Sequence, residues 1–291
     1  MQHSTEFRAM NTDVEVLAET DAPIPPLDLF IGAKLLFEEQ EQRFSRFRSG
    51  SLLSQLNAGR AVDDALLATV CRMALEAWEF TGGRFNPMVL EALTAAGYDR
   101  SFELLTKAGS PQKQAVPDPE EAIRLDGDEV RLVGGQLDLG GIVKGWTVDR
   151  LVEHYGASLD GLFVNAGGDL RCSGSEGDVD GWWATIDGAG LADTPWEGAM
   201  RGAVATSTSR KRRWRIADGS WAHHLIDPAT GMPSASDIVQ ASVWAEECWL
   251  AEVWAKAVVI GGETALASCR GQGLDVIAVT GDGVVLGGGP T

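Results

Sequence analysis

The run QLDLGGIVKG, which starts at residue 136, groups side chains that can bind an anion. Asp138 stands between two leucines, and this alternation of apolar and polar residues predicts a short strand over 136–139. Gly140 and Gly141 then allow a tight turn and a close approach of another group to the backbone. The alternative is an ordinary turn followed by a solvated lysine, Lys144.

An amphipathic helix follows this turn. Apolar side chains recur at i, i+3, i+4 and i+7, which gives one apolar helical face; they are Val148, Leu151, Val152 and Tyr155. The free N–H groups and the positive dipole end at the start of such a helix favour an anion. Lys144 adds a positive charge at the same place, so the sequence predicts an anion site there.

Two further segments place glycines or hydroxyl groups after an apolar run. In FVNAGGDL, Gly168 and Asp169 follow a predicted strand, so a ligand could touch bare backbone; a β-bulge or a turn is the alternative. In GAVATSTSRKRRWR, Thr206 and Ser207 offer hydroxyl and N–H groups, and five positive charges follow within six residues. This basic island predicts attraction of phosphate, with a charged edge strand as the alternative.

The segment HHLIDPATGMP at 223–233 places two histidines beside a turn. Asp227-Pro228 and Thr230-Gly231 are typical of turn sequences. His224 can act as a general base or hold a phosphate. A purely structural histidine is the alternative.

The charge of the chain limits its partners. The 291 residues carry a formal net charge of −18, which argues against non-specific binding to nucleic acid or to an anionic membrane. The four cysteines lack C-x-x-C spacing and indicate a reducing compartment. The N-terminus lacks the apolar core of a signal peptide, and no apolar run reaches the length of a membrane span. The sequence therefore predicts a cytoplasmic chain without membrane insertion.

Helices and short, turn-rich strands are mixed along the chain without a regular βαβ rhythm. This pattern predicts an α+β fold with mixed, mainly antiparallel sheets and packed helices. No repeat or low-complexity linker divides residues 1–291, so a single domain is expected, and the last helix is predicted over 248–260. The glycine run matches neither G-x-G-x-x-G nor G-x-x-x-x-G-K-[ST], so it supports neither a Rossmann nor a P-loop site.

Seven motifs, taken together, resemble the ApbE family, also known as FAD:protein FMN transferases. The similarity covers the chain from about Arg8 to Gly262, and the motifs read FRAMNTDVEV, FSRFRSGSLLSQLN, GGRFNPMV, LDLGGIVKGWTVD, FVNAGGDLRCSG, AVATST and HHLIDPATGMP. One such motif is weak evidence, but seven in the family's order are strong. The chain departs from the family's pattern at Asn11, where glycine is usual, and at Asn86 and Met88, where Asp and Thr are usual.

The resemblance implies a reaction and a set of residues. The chain would move the FMN half of FAD onto a threonine hydroxyl of an acceptor protein and release AMP, with His224 and Lys144 as catalytic residues. The flavin nucleotide site that it implies is Met10, Phe47, Arg84, Phe85, Asn86, Gly140, Lys144, Trp146, His224 and Ile226. Asp138, Thr206 and Ser207, from the motifs described above, are expected to complete that site.

The resemblance also implies a Mg²⁺ site, in which the backbone carbonyl of Val143 is one ligand. The family's late helix reads A-D-x-x-[AS]-T-A, and its Asp and Thr bind the metal. Here the run is AEVWAKA, so Glu252 and Lys256 hold those two positions. Glu252 can still bind a hard cation, but a charged lysine cannot. Water replaces the lost ligand, the ammonium replaces part of the metal's charge, or the two residues form an ordinary i, i+4 surface pair.

Two other functions remain open from the sequence. One is hydrolysis of the FAD pyrophosphate to FMN and AMP, with water in place of the threonine. The other is a flavin-binding protein without catalysis, which the altered positions Asn86, Met88 and Lys256 suggest.

Overall fold

The structure of the chain is a computed structural model that describes residues 1–23, 25–102, 105, 111–216 and 219–290. Within these residues the helices are α1 (Leu27–Phe44), α2 (Leu52–Asn57), α3 (Ala65–Phe80), α4 (Leu90–Ala95), α5 (Pro119–Ala122), α6 (Val143–Tyr155) and α7 (Cys248–Gly271). The strands are β1 (Gln2–Ala9), β2 (Thr12–Glu19), β3 (Val62–Asp63), β4 (Ile123–Asp126), β5 (Glu129–Leu132), β6 (Gly161–Ala166), β7 (Asp169–Gly174), β8 (Trp182–Ile186), β9 (Trp196–Met200), β10 (Gly202–Thr208), β11 (Arg213–Arg215), β12 (Trp221–His223), β13 (Ile226–Asp227), β14 (Met232–Pro233), β15 (Ile238–Ala245), β16 (Val276–Thr280) and β17 (Val285–Gly288).

Eight strands form one antiparallel sheet in the order β1-β2-β6-β7-β10-β15-β16-β17. Successive side chains of a strand point to opposite faces, and β6 shows this clearly. Leu162 and Val164 belong to the core that the sheet shares with α1 and α6. Phe163 faces the other side and packs on Trp182 of the β8–β9 hairpin, with ring centroids 5.4 Å apart. The sheet therefore lies between a helical layer and a hairpin.

The turn between β1 and β2 has an uncommon backbone. It consists of Met10 and Asn11, whose φ angles are 49° and 59°. A two-residue hairpin turn with positive φ at both positions matches the twist of the strands, and asparagine tolerates this conformation. Asn11 thus suits the position where the family usually has glycine. Glu41 of α1 holds the turn by accepting a hydrogen bond from the Met10 N–H at 3.2 Å.

Smaller sheets surround the main one. Strands β3, β5 and β4 form a three-stranded sheet, and β11–β12 and β13–β14 form two-stranded ribbons. His224 and Leu225 connect the two ribbons, and the Asp227 turn lies between β13 and β14, as the sequence predicted. The two ribbons thus fix where the histidine segment emerges.

The α+β prediction is confirmed, but one local prediction is wrong. Residues 136–139 are not a strand, because the Leu137 and Asp138 N–H groups donate to Asn57 and to the Pro87 carbonyl instead of to a neighbouring strand. The helix predicted over 248–260 is confirmed: it ends at Gly262, whose φ of 63° and ψ of −148° are not helical, and a further helical stretch then continues to Gly271. A single domain over 1–291 stays a prediction. In the described ranges, every helix is too short or too polar to cross a membrane.

Candidate active site

A cavity of about 490 Å³ opens on the helical side of the hairpin turn at Met10. Its walls come from the 89–101 segment and from seven other parts of the chain. These seven are the β1–β2 turn, the end of α1 with the loop after it, the 84–86 turn, the 138–144 segment, Arg212, the 224–226 segment and α7. A volume of this size suits a small-molecule ligand.

Twelve of the residues predicted for the site line this cavity: Met10, Phe47, Arg84, Phe85, Asn86, Asp138, Gly140, Val143, Lys144, His224, Ile226 and Lys256. The structure places four others elsewhere. Trp146 is buried in the core, where its ring meets Phe44 edge-on at 5.8 Å. Thr206 shares a hydrogen bond of 2.8 Å with Ser242, and Ser207 is buried in β10. Glu252 is fully buried below the cavity floor.

The cavity lining is rich in cations, although the chain as a whole is acidic. Among the described residues, its cationic side chains are Arg8, Arg46, Arg48, Arg84, Arg212, Lys144 and Lys256, and its carboxylates are Glu41 and Asp138. Arg84 and Arg212 donate to backbone carbonyls, those of Thr81 and Asn11. Because carbonyls carry no net charge, these two guanidinium groups keep their positive charge for a ligand. The lining therefore favours an anion.

Asp138 has a positioning role in the glycine turn. Its Oδ2 lies 3.0 Å from Arg46 Nε, and its Oδ1 accepts the Gly140 N–H at 2.7 Å. Helix α6 begins at Val143, so Lys144 lies in its first turn rather than ahead of it. Gly141 is required by a close approach: a Cβ there would lie 3.0 Å from the Phe85 ring and 3.3 Å from the Lys256 chain.

Four charged side chains lie together at the floor of the cavity: two lysines line it, and two buried carboxylates contact them. Lys144 Nζ contacts Asp169 and lies 2.5 Å from Glu252 Oε1, and Lys256 Nζ lies 2.9 Å from the same oxygen. The other oxygen of Glu252 accepts the Gly145 N–H at 2.9 Å. We call Lys144, Asp169, Glu252 and Lys256 the charge quartet. The alternative of an exposed Glu252–Lys256 surface pair is wrong, because the glutamate side chain is 0% exposed and the lysine side chain only 14%.

The pKa shifts in the quartet follow from burial and from these contacts. Burial opposes the charge on Glu252, but the two ammonium groups outweigh it and lower the pKa of this carboxyl to about 2. Burial likewise opposes the charge on Lys144, and Asp169 and Glu252 outweigh it and raise its pKa. For Lys256, burial and then the neighbouring Lys144 ammonium lower the pKa, while Glu252 opposes them. The Glu252 carboxylate is thus the anion that holds both lysines.

Helices α6 and α7 touch through backbone at Gly145. A Cβ at this position would lie 2.7 Å from the backbone atoms of Cys248 and Trp249, so only glycine fits. One turn further along α6, Asp149 accepts the Cys248 N–H at 2.8 Å and the Trp249 N–H at 2.9 Å. This carboxylate supplies the cap that α7 lacks from its own N-cap residue, and Arg171 pairs with it at 2.8 Å.

The two histidines have different environments. His223 uses both ring nitrogens, since Nδ1 accepts the Leu225 N–H and Nε2 lies 3.0 Å from the Ser234 carbonyl. His224 lines the cavity, and its Nδ1 lies 3.4 Å from the Arg212 carbonyl. Burial, followed by the charges of Arg212, His223 and Lys256, lowers the pKa of His224 well below its usual value. The imidazole is therefore neutral at pH 7 and able to accept a proton.

Sequence reasoning missed the aromatic and guanidinium stack at one wall. The Arg46 guanidinium lies 4.3 Å from the Phe47 ring and 4.5 Å from the Tyr98 ring, and all three residues line the cavity. Flat rings beside cations suit an aromatic anion. The run SRFR contains the signal, but the contribution of Tyr98 depends on a contact across 52 residues.

The turn at Asn86 keeps its hydrogen bond although asparagine stands where the family usually has aspartate. Asn86 Oδ1 accepts the Met88 N–H at 2.8 Å, which is the bond that an aspartate would also make. Its amide group donates to the Pro117 carbonyl at 3.2 Å. The replacement thus keeps the turn.

The donor set does not fit Mg²⁺ at the place where the family holds it. A magnesium ion needs free oxygen ligands. Both oxygens of Glu252 already accept hydrogen bonds: Oε1 from the two lysine ammonium groups, and Oε2 from the Gly145 N–H. The Val143 carbonyl accepts the Thr147 hydroxyl at 2.7 Å. In the described part of the chain, no cluster of three or more His, Cys, Asp or Glu side chains could hold a metal.

An α+β fold with a cavity that gathers cations, aromatic rings and a neutral histidine defines a binding protein for an aromatic, anionic ligand of nucleotide type. Comparisons with known proteins make this more specific. The model of the ApbE family matches residues 10–278, and the chain belongs to this family.

Relatives and solved structures agree with this assignment. The chain is 32% identical to the FAD:protein FMN transferase of Treponema pallidum over 81% of its own length and 72% of that protein. It is 30% identical to the protein of the same name from Escherichia coli K12, over 50% of the chain and 43% of the relative. The fold matches an ApbE protein from Thermotoga maritima with a TM-score of 0.87 at 23% identity, over 99% of this chain and 97% of that one. It also matches the flavinyl transferase ApbE of Pseudomonas stutzeri with a TM-score of 0.83 at 18% identity, over 99% and 94%.

Proposed function

We propose that this protein is an FAD:protein FMN transferase. It transfers the FMN half of FAD to a threonine hydroxyl of an acceptor protein and releases AMP. The observation that carries the proposal is the cation-lined cavity in an acidic chain of the ApbE family. The names of the treponemal and Escherichia coli relatives support it.

FAD is the substrate, and its parts suit different walls of the cavity. The pyrophosphate carries the negative charge that Arg84 and Arg212 favour, since guanidinium groups form strong charge-assisted hydrogen bonds to phosphate oxygens. The isoalloxazine ring is flat and suits the wall formed by Arg46, Phe47 and Tyr98. A cavity of about 490 Å³ with an open mouth leaves the reacting phosphate within reach of a second protein.

The transfer requires one bond to form and one to break. The threonine oxygen attacks the phosphorus of the FMN half, and the bond from that phosphorus to the bridging oxygen breaks. AMP leaves with the bridging oxygen and its electron pair. The hydroxyl proton goes to His224, whose neutral imidazole is the base at the cavity wall. Positioning and positive charge supply most of the remaining acceleration.

Magnesium has no step in this scheme. Glu252 and the Val143 carbonyl are already engaged by protein donors, so they do not offer the ligand set that the ion needs. The proposed partners are FAD and a threonine-bearing acceptor, without nucleic acid and without insertion of this chain into a membrane. The cytoplasmic location, which the isolated cysteines suggested, stays a prediction.

Mass spectrometry of candidate acceptor proteins after incubation with FAD tests the proposal. We expect a threonine-linked FMN adduct and an equal amount of AMP. Free FMN with AMP and no adduct would instead establish hydrolysis. Intact bound FAD, in the presence of an acceptor that another ApbE enzyme modifies, would establish a carrier without catalysis. The proposal fails in either of these two cases.

A further inference from the structure

Among the residues of the charge quartet, Lys256 and Lys144 line the cavity. The Glu252 and Asp169 carboxylates lie beneath them and are 0% and 4% exposed. Each buried anion is thus covered by a cation on the side that faces the ligand. The two cations of the quartet thus form part of the cavity wall, and the two anions do not.

The position of Lys256 is built into the packing. Its carbon chain runs over Gly141, where a Cβ would lie 3.3 Å from Cδ and 3.4 Å from Cε. Its ammonium donates to Glu252 Oε1 at 2.9 Å, one helical turn earlier on α7. A lysine on a free surface samples many rotamers, but this one is held at both its stem and its tip. A fixed cation of this kind needs no reorganisation when negative charge develops beside it.

We propose that the Lys256 ammonium is a built-in cation that takes the place of a divalent metal ion at the pyrophosphate. The proposal rests on the proposed function for its substrate and goes beyond it in assigning the source of positive charge. As the bond between the phosphorus of the FMN half and the bridging oxygen breaks, charge accumulates on the phosphate oxygens. Lys256 and Lys144 stabilise that charge, so binding and transfer proceed without Mg²⁺ at this place.

Calorimetric titration of FAD in the presence of EDTA is the first test, because it needs no acceptor protein and no turnover. We expect the wild-type protein to bind FAD with a Kd that added Mg²⁺ leaves unchanged. Lys256→Met should weaken FAD binding by about 10-fold to 100-fold, the effect of losing one charged hydrogen-bond partner. The matched control is Lys113→Met, which removes an exposed lysine outside the cavity and should bind FAD as the wild type does.

The second variant, Lys256→Thr, replaces the ammonium with a neutral oxygen ligand. We expect its FAD binding to be weak in EDTA and to recover when Mg²⁺ is added, and we expect Mn²⁺ to bind its FAD complex by electron paramagnetic resonance but not to bind the wild-type complex. The proposal is overturned if Mg²⁺ tightens FAD binding equally in the wild type and Lys256→Thr. It is also overturned if folded Lys256→Met or Lys256→Thr binds FAD in EDTA as tightly as the wild type.

Turnover assays on the wild type show whether the transferase assignment or the built-in cation has failed. If the wild type forms neither an adduct nor FMN and AMP, the transferase assignment fails, while the binding and Mn²⁺ results still decide the role of Lys256. If the wild type transfers FMN only when Mg²⁺ is present, the transferase assignment holds and the built-in cation is refuted.

Discussion

Removing the carboxylate of Glu252 should be strongly destabilising. The side chain is 0% exposed and accepts hydrogen bonds from Lys144, Lys256 and the Gly145 N–H. In Glu252→Ala, two lysine side chains that are only 13% and 14% exposed would have Asp169 as their one remaining quartet anion. Breaking a buried pair by removing one partner costs about 3–5 kcal/mol. We expect the free energy of unfolding to fall by about that amount.

The double variant Glu252→Ala/Lys256→Met makes this reasoning specific to the quartet. It leaves Lys144 paired with Asp169, so the excess positive charge disappears. We expect the double variant to be more stable than Glu252→Ala alone, although one more side chain has been changed. The control is Glu129→Ala, which removes a carboxylate from an exposed ion pair with Arg131 and should leave the unfolding curve unchanged.

Urea unfolding followed by circular dichroism, in EDTA and at pH 7, measures four variants: Glu252→Ala, Lys256→Met, the double variant and the Glu129→Ala control. The coupling free energy between positions 252 and 256 follows from the cycle of wild type, both single variants and the double variant. A coupling near zero, with Glu252→Ala and the double variant equally unstable, would show that Lys256 does not depend on Glu252. The arrangement of the quartet would then be wrong.

Three further predictions concern the histidines and the helix cap. His224→Ala should lower turnover by about 10²-fold or more, the usual contribution of a general base, whereas His223→Ala should keep most of it; equal losses would refute the assignment. Burial and the nearby charges of Arg212, His223 and Lys256 lower the pKa of His224. Below about pH 6.5, this imidazole is therefore protonated in the unfolded chain but still neutral in the folded chain. Stability should therefore fall as the pH drops below that value, and urea midpoints between pH 5 and 8 should change less in His224→Gln; identical pH profiles would contradict this. Asp149→Ala should lower the free energy of unfolding by about 2–4 kcal/mol, because two cap hydrogen bonds and the Arg171 pair are lost, and a change within the error of urea unfolding would exclude that role.

The local pattern of the sequence predicted elements better than it predicted their partners. The apolar positions Val148, Leu151 and Val152 are buried in α6, as their spacing required. Leu137 and Leu139 are buried as well, but their alternation reflects burial in a loop and not strand pairing. Periodicity reports which side chains face the core. It does not report which backbone groups meet.

Lining residues that belong to one sequence motif could be predicted. Contacts between residues far apart in the sequence could not. The 84–86 turn and the 138–144 segment line the cavity as expected. The i, i+4 spacing of Glu252 and Lys256 was equally consistent with a solvent-exposed pair. Only the fold brings Lys144 next to Glu252, across 108 residues, and thereby buries the pair. A single sequence does not show that these two side chains are in contact.

The backbone contact at Gly145 and the lysine chain over Gly141 constrain how this site can evolve. A side chain at 145 would push α6 away from α7 and separate Lys144 from Glu252. At 141, a methyl group would lie 3.0 Å from the Phe85 ring and 3.3 Å from the Lys256 chain, so both side chains would have to shift by a few tenths of an ångström. Substitutions at 141 and 256 should therefore be non-additive. A lysine at 256 is accommodated most easily while residue 141 is glycine.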